Sequence, residues 1–280
     1  MSKPTPAIAE ARFAEVNGGK LWYEVAGAGT PVVLIHSGIT DSRSWESQFS
    51  EFARYHRVMR YDMRGFGQSD VAHGEYSPID DLAGLLQDVG ISRTALVGVS
   101  MGGALAIDMA LTHPEAVSSL VLVGAGFSGH EPSAEFAALM ARVDEIYERD
   151  GLDAALELEL EIWLYGKGRQ AADVGRGVRG AVREMNRRNW ERSAPDAKPA
   201  RIDPPAAGRL GEIKVPTLIV VGDLDVDRVQ DAADRLEAGI RGARRAVMIG
   251  TAHVPNMEQP EVFNRIVLDF LGEGAAQTSR

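Results

Sequence analysis

The chain has 280 residues, 45% of them hydrophobic and 25% charged, and a formal charge of −10 from 30 Lys+Arg against 40 Asp+Glu. An acidic chain repels phosphate backbones and anionic lipid, which argues against nucleic acid and membrane surfaces as partners. There is no cysteine, so disulfides, thiolate metal sites and a cysteine nucleophile are excluded.

Residues 1–13 lack a basic start followed by an apolar core, and the segment around Pro4 and Pro6 reads as disordered. No apolar run approaches the ~18 residues that span a bilayer, so a cytoplasmic protein is expected. Residues 12–16 and 21–25 alternate in polarity around Asn17-Gly18-Gly19, which predicts an antiparallel hairpin. Short apolar runs at 31–35, 95–99, 120–123 and 217–221, with weaker ones at 57–61 and 245–249, predict buried parallel strands. Between them lie helical patterns. Leu82, Leu85, Leu86 and Val89 share one face, and residues 101–111 are apolar nearly all round until His113-Pro114. Val262, Ile266, Leu268 and Phe270 suggest a final helix. Strands alternating with helices give an α/β class with a mostly parallel, doubly wound sheet.

The rhythm breaks in the middle. Residues 128–214 show no strong strand and are too many for a plain loop. Three apolar stripes predict helices: Phe136, Leu139, Met140, Val143 and Tyr147; Leu152, Leu156, Leu160 and Trp163; and Val174, Val178, Val182, Met185 and Trp190. The proline-rich stretch 194–205 reads as an extended return. The expected organisation is a discontinuous core domain, 10–127 with 206–273, and a helical cap at 128–205.

Gly98-Val99-Ser100-Met101-Gly102 has the form G-x-S-x-G, with a strand before it and a helix after. A serine on so sharp a turn is strained and projects its hydroxyl. Side chains two residues to either side would collide, which calls for glycine. Serine is a poor nucleophile at neutral pH. It needs a neighbouring base, and the base needs an orienting carboxylate. The backbone N–H of Met101 is a natural donor to a developing oxyanion.

Across residues 10–272 the sequence resembles the α/β-hydrolase family. The resemblance rests on this elbow, on His36-Ser37-Gly38 with Trp45, on Asp62-Met63-Arg64-Gly65-Phe66-Gly67-Gln68-Ser69-Asp70, and on Gly250-Thr251-Ala252-His253. It implies the α/β-hydrolase fold with an inserted cap, and a triad in the order Ser100, acid, His253. The acid it implies is Asp225, within Gly222-Asp223-Leu224-Asp225, with Asp223 and Asp227 as alternatives. The second oxyanion donor it implies is Gly38, with Ser37 as competitor, because the family more often has His-Gly where this chain has His36-Ser37. Asp62, Arg64, Gly65 and Gly67 would hold a loop, and His36 would shape the loop it sits in. His56, His73 and His130 read as solvated.

Ser37, Phe127, Trp163 and Val254 are the candidate pocket residues, although Trp163 equally suits the cap core. Arg176, Arg179, Arg183 and Arg187 share a helix face that would be solvated or would attract an acidic group. The pattern His253-x-x-Asn256-x-Glu258-Gln259-Pro260 looks like that of carboxylesterases and enol-lactonases, so hydrolysis of a small-molecule ester or lactone is the first expectation. It requires no cofactor and no metal. Carbon–carbon hydrolases of meta-cleavage products are an alternative, though they often carry an aromatic residue where this chain has Val254. A cofactor-free perhydrolase using the same triad and a non-catalytic ligand receptor complete the set.

Overall fold

The computed structural model describes residues 10–278; the segment with Pro4 and Pro6 lies outside them. Strands β1 (Glu10–Val16) and β2 (Gly19–Ala26) form the expected hairpin. Its loop is only Asn17-Gly18, both at positive φ (47° and 75°), as a two-residue turn between twisted strands requires. There follow β3 (Pro31–Ile35), α1 (Glu46–Phe52), β4 (Arg57–Tyr61), β5 (Glu75–Tyr76), α2 (Pro78–Asp88), β6 (Thr94–Val99), α3 (Met101–Thr112) and β7 (Val117–Val123). The inserted region holds α4 (Ala134–Asp150), α5 (Leu152–Glu159), α6 (Arg176–Arg192) and the two-residue strand β8 (Lys198–Pro199). Last come β9 (Thr217–Gly222), α7 (Asp227–Gly239), β10 (Arg244–Met248), α8 (Pro255–Glu258) and α9 (Pro260–Thr278).

One eight-stranded sheet runs β1-β2-β4-β3-β6-β7-β9-β10. β1 and β2 are antiparallel to each other and β2 to β4; every other pair is parallel. This is the α/β-hydrolase fold. The central strands are buried on both faces, which is why their sequences read as apolar runs rather than as alternations. Val33 and Ile35 face one core with Leu82 of α2, Leu105 of α3 and Val229 of α7. Val32 and Leu34 face the other with Trp45, Phe49 of α1 and Phe263 of α9. Among the described residues no helix is long and apolar enough to cross a membrane.

The middle region departs from its sequence reading in one place. The second stripe is not one helix: α5 stops at Glu159, and Leu160–Tyr165 winds as a π-helix with Trp163 inside it. The extended return segment carries the strand β8, which pairs in parallel with β5. A two-residue strand is too short to leave an alternation in sequence. His56 and His130 are buried rather than solvated, and burial lowers the pKa of His56.

Candidate active site

The site lies at the C-terminal ends of β3, β6, β7 and β9. Ser100 joins β6 to α3 at φ 53°, ψ −112°, one of two non-glycine residues with positive φ among those described. A Cβ on Gly98 would lie 2.3 Å from the Gly102 carbonyl oxygen, and one on Gly102 would lie 2.4 Å from that of Ile35. Neither is sterically possible, so both glycines are set by the close approach of backbone. The second contact also fixes where α3 begins: its first turn abuts the end of β3, beside the loop that carries Gly38.

His253 and Asp225 form a buried pair. The Nδ1–H of His253 donates to Asp225 Oδ2 at 2.8 Å, and the two side chains are 3% and 0% exposed. Asp225 Oδ1 accepts from the Val226 amide. A carboxylate only accepts, so Nδ1 carries the proton and Nε2 is left as the basic nitrogen. Asp223 and Asp227 do not reach the imidazole. Asp223 accepts from the Gly250 amide at 2.7 Å, and Asp227 pairs with Lys167. The Ser100 amide donates to Val123 O, and a Cβ on the next residue, Gly124, would lie 3.2 Å from His253 Nδ1. Serine and imidazole are thus neighbours across β7. Among the described residues no hydrogen bond joins the Ser100 hydroxyl to His253. Catalytic hydrogen bonds are often long without substrate and tighten in the Michaelis complex.

The histidine loop is pinned by the residues after it. Glu258 accepts from the Ala252 amide at 2.7 Å and from Arg169 at 2.6 Å, while burial pushes its carboxyl above the ordinary range. Asn256 donates to Ser44 O. Gln259 donates to Ile249 O. Trp163 covers the imidazole, with ring centroids 4.5 Å apart, and its carbonyl accepts from the His253 amide at 3.1 Å.

The loop after β3 offers one free amide where sequence left two candidates. The Ser37 N–H donates to Thr40 Oγ1, whereas Gly38 N–H, like Met101 N–H, has no partner among the described residues. His36 is fully buried, accepts from the Met63 amide at Nε2 and donates from Nδ1 to Ser37 O. Burial lowers its pKa, so it is a neutral strut for the loop. Asp62 accepts from the amides of Ser42 and Gln68 and holds the loop that follows β4.

A cavity of about 370 Å³ opens beside Ser100 and Met101, walled by Met63, Phe66, Leu105 and Phe127 and ending at Asp108, Ser128 and Arg201. Of the four expected pocket residues, Phe127 lines it. Trp163 lies instead over His253. Ser37 and Val254 do not reach it, being 1% and 2% exposed: Ser37 Oγ is engaged with Thr40 Oγ1, and Val254 packs in the core with Phe263. Two of the four α6 arginines, Arg183 and Arg187, reach α5 rather than the cavity. Arg183 pairs with Asp153 and Glu157, and Arg187 with Asp153 and Glu191.

Asp108 was missed from sequence. It stands on α3 four residues beyond Ala104 and eight beyond Ser100, all three lining one helix face along the cavity. That spacing was the available signal, hidden because the helix is apolar nearly all round. Burial raises its carboxyl from 3.8 to about 6, opposed by Ser128 and by the charges of Arg201 and Arg209. A carboxyl raised on folding resists ionisation, so its penalty is absent below pH 4, grows from about 4 to 6 and is complete above. Asp108→Asn should therefore stabilise the protein at pH 7–8 by about 1–2 kcal/mol, allowing for partial solvation, and by nothing at pH 4. Melting temperatures across that range check the sign.

The alpha/beta hydrolase family model matches residues 32–266. The chain is 28% identical over 263 residues to 2-hydroxy-6-oxo-6-phenylhexa-2,4-dienoate hydrolase of Comamonas testosteroni, covering 89% of this chain and 90% of the relative. It is 31% identical over 277 residues to a 2-hydroxy-6-oxononadienedioate/2-hydroxy-6-oxononatrienedioate hydrolase of Pseudomonas putida, covering 93% and 96%. The crystal structure of the enol-lactonase from Burkholderia xenovorans superposes with a TM-score of 0.74 at 24% identity, over 93% of this chain and all of the other; that likeness speaks to the fold.

Proposed function

This chain belongs to the alpha/beta hydrolase family, and from that premise we propose that Ser100, His253 and Asp225 hydrolyse the bond beside a carbonyl carbon, with 2-hydroxy-6-oxodienoates as the first substrate class. The observation that carries the reading is the buried Asp225–His253 pair beside a strained serine at the mouth of the cavity. The choice of class rests on the two carbon–carbon hydrolases that match over about nine tenths of both chains or more. This replaces ester or lactone cleavage as the leading expectation.

Ser100 Oγ attacks the carbonyl carbon while His253 Nε2 takes its proton, and Asp225 stabilises the imidazolium. The oxyanion is held by the amides of Met101 and Gly38. For the dienoate, the 2-hydroxyl first gives up its proton and the carbon next to that carbonyl gains one, which leaves a 2-oxo-3-enoate. The carbon–carbon bond then breaks, and its electron pair enters the conjugated 2-oxo-enoate. Water activated by His253 releases the acyl group. The balance consumes one water: the phenyl substrate yields benzoate and 2-hydroxypenta-2,4-dienoate.

Ester or lactone cleavage is the second reading, in which His253 returns its proton to an alcohol oxygen. One observation favours it: Val254 follows His253, is buried, and leaves no aromatic ring at that position. The test gives the protein 2-hydroxy-6-oxo-6-phenylhexa-2,4-dienoate and a short-chain nitrophenyl ester in parallel. Benzoate formation at a kcat/KM at least tenfold above that for the ester supports the carbon–carbon reading. The reverse order assigns the chain to esters.

A further inference from the structure

The loop from Ser37 to Asp41 is closed on itself at one end only. Ser37 N–H donates to Thr40 Oγ1, and Thr40 N–H to Ser37 O. The peptide that carries the Gly38 N–H is held through its own carbonyl, Ser37 O, which accepts from His36 Nδ1 and from the Thr40 amide, and nothing lies within 4 Å of the point where a Cβ of Gly38 would sit. The carbonyls of Gly38 and Thr40 are held from outside the core domain. Both accept from Asn189 Nδ2, at 3.3 and 2.9 Å. Asn189 lies on α6 in the inserted region, and its side chain is buried. Two carbonyl acceptors require the amide nitrogen to face them, which settles the orientation of the side-chain amide. Its Oδ1 is buried and has no partner among the described residues, so the residue's hydrogen bonding there is directed at this loop.

We propose that Asn189 is a positioning residue: from α6 it anchors the far side of Gly38 and Thr40, and with them the turn that aims the Gly38 N–H at the oxyanion. The inference rests on the serine-hydrolase reading above and adds to it a dependence of transition-state stabilisation on cap docking. Without Asn189 the Ser37–Gly38 peptide keeps His36 on its carbonyl, but Thr40, which closes the turn from the other side, loses its own anchor. An oxyanion donor acts only when it is already aimed before charge develops. The two hydrogen bonds from Asn189 hold the Gly38 and Thr40 carbonyls, and through Thr40 the turn around Ser37 O. Substrate binding, which draws on the walls of the cavity, does not need them.

The experiment measures the rate at which a fluorophosphonate labels wild type, Ser100→Ala, Asn189→Ala and Asn189→Leu. It adds kcat and KM on a nitrophenyl ester and the melting temperature of each. The phosphonyl oxygen takes the place of the oxyanion, so labelling reads the hole without knowledge of the natural substrate. Asn189→Ala is expected to label about tenfold more slowly or worse, with kcat falling in parallel and KM within about twofold of wild type. Asn189→Leu refills the volume but supplies no donor, so it should be as slow as Asn189→Ala. Recovery of the wild-type rate by leucine would assign Asn189 to packing and overturn the proposal. So would unchanged labelling in both variants, or a rise in KM with kcat intact. Wild type that is not labelled at Ser100 would overturn the serine-hydrolase reading, and the inference with it. Wild type labelled alongside equally fast Asn189 variants overturns the inference alone.

Discussion

Ser100→Ala should melt at nearly the wild-type temperature and lose at least about 10³-fold in kcat. Folding is spared because, among the described residues, the hydroxyl takes part in no hydrogen bond, so its removal orphans no partner. Alanine also tolerates the φ of 53° no worse than serine does. Catalysis is lost because no other oxygen stands at the turn between β6 and α3. His253→Ala should cost nearly as much, since the hydroxyl is then left without a base. The Ser100→Ala/His253→Ala double variant should be little slower than either single one, because residues that act as one unit are not additive. Steady-state rates on whichever substrate class the parallel assay selects give all three numbers. Additive losses of about 10⁶-fold would mean that serine and histidine work independently, and the triad reading would fail.

What the sequence disclosed follows from how local the cause is. The elbow is local: glycines at 98 and 102 and a serine between them are dictated by backbone approach within five residues. The parallel strands are nearly as local, because burial on both faces writes itself as an apolar run. The choice of Asp225 over Asp223 and Asp227 came from a family pattern, and its physical reason is long-range. Asp223 is occupied by the Gly250 amide and Asp227 by Lys167, partners 27 and 60 residues away. The pocket was the least legible part. Ser37 and Val254 sit next to the proposed donor Gly38 and the proposed base His253 in sequence, yet their side chains turn into the core. Asp108, Arg201 and Tyr76 come from three separate segments that only the fold brings to one wall. The contacts of the inserted region with the site were equally hidden. A carbonyl of a π-helix on His253 and the amide of Asn189 on the oxyanion loop are set by how the cap docks, which composition does not record.

The second large effect concerns the loop after β4. Arg64 is buried at 8% side-chain exposure and donates to both oxygens of Asp81, at 2.6 and 2.7 Å, and to Val16 O at 2.7 Å. Asp81 also accepts from Asn17 of the hairpin turn. This cluster ties the β1–β2 hairpin, the loop after β4 and α2 together, and Arg64 lines the cavity that holds Ser100. Asp81→Ala should cost about 3–5 kcal/mol, because it leaves a guanidinium buried without its counter-charge. In a chain of this size that lowers the melting temperature by about 10 °C. The cost belongs to the orphaned charge rather than to the pair as such, so removing both partners should be milder. Arg64→Met with Asp81→Leu should recover most of the stability, to within about 1–2 kcal/mol of wild type. Chemical denaturation of the two singles and the double closes the cycle. A loss below about 1 kcal/mol for Asp81→Ala would show that Arg64 reaches water when its partner is gone. The loop after β4 would then be held by Asp62 and the Ser69 hydroxyl, which accept from the Gln68 amide and donate to Asp62 O, respectively.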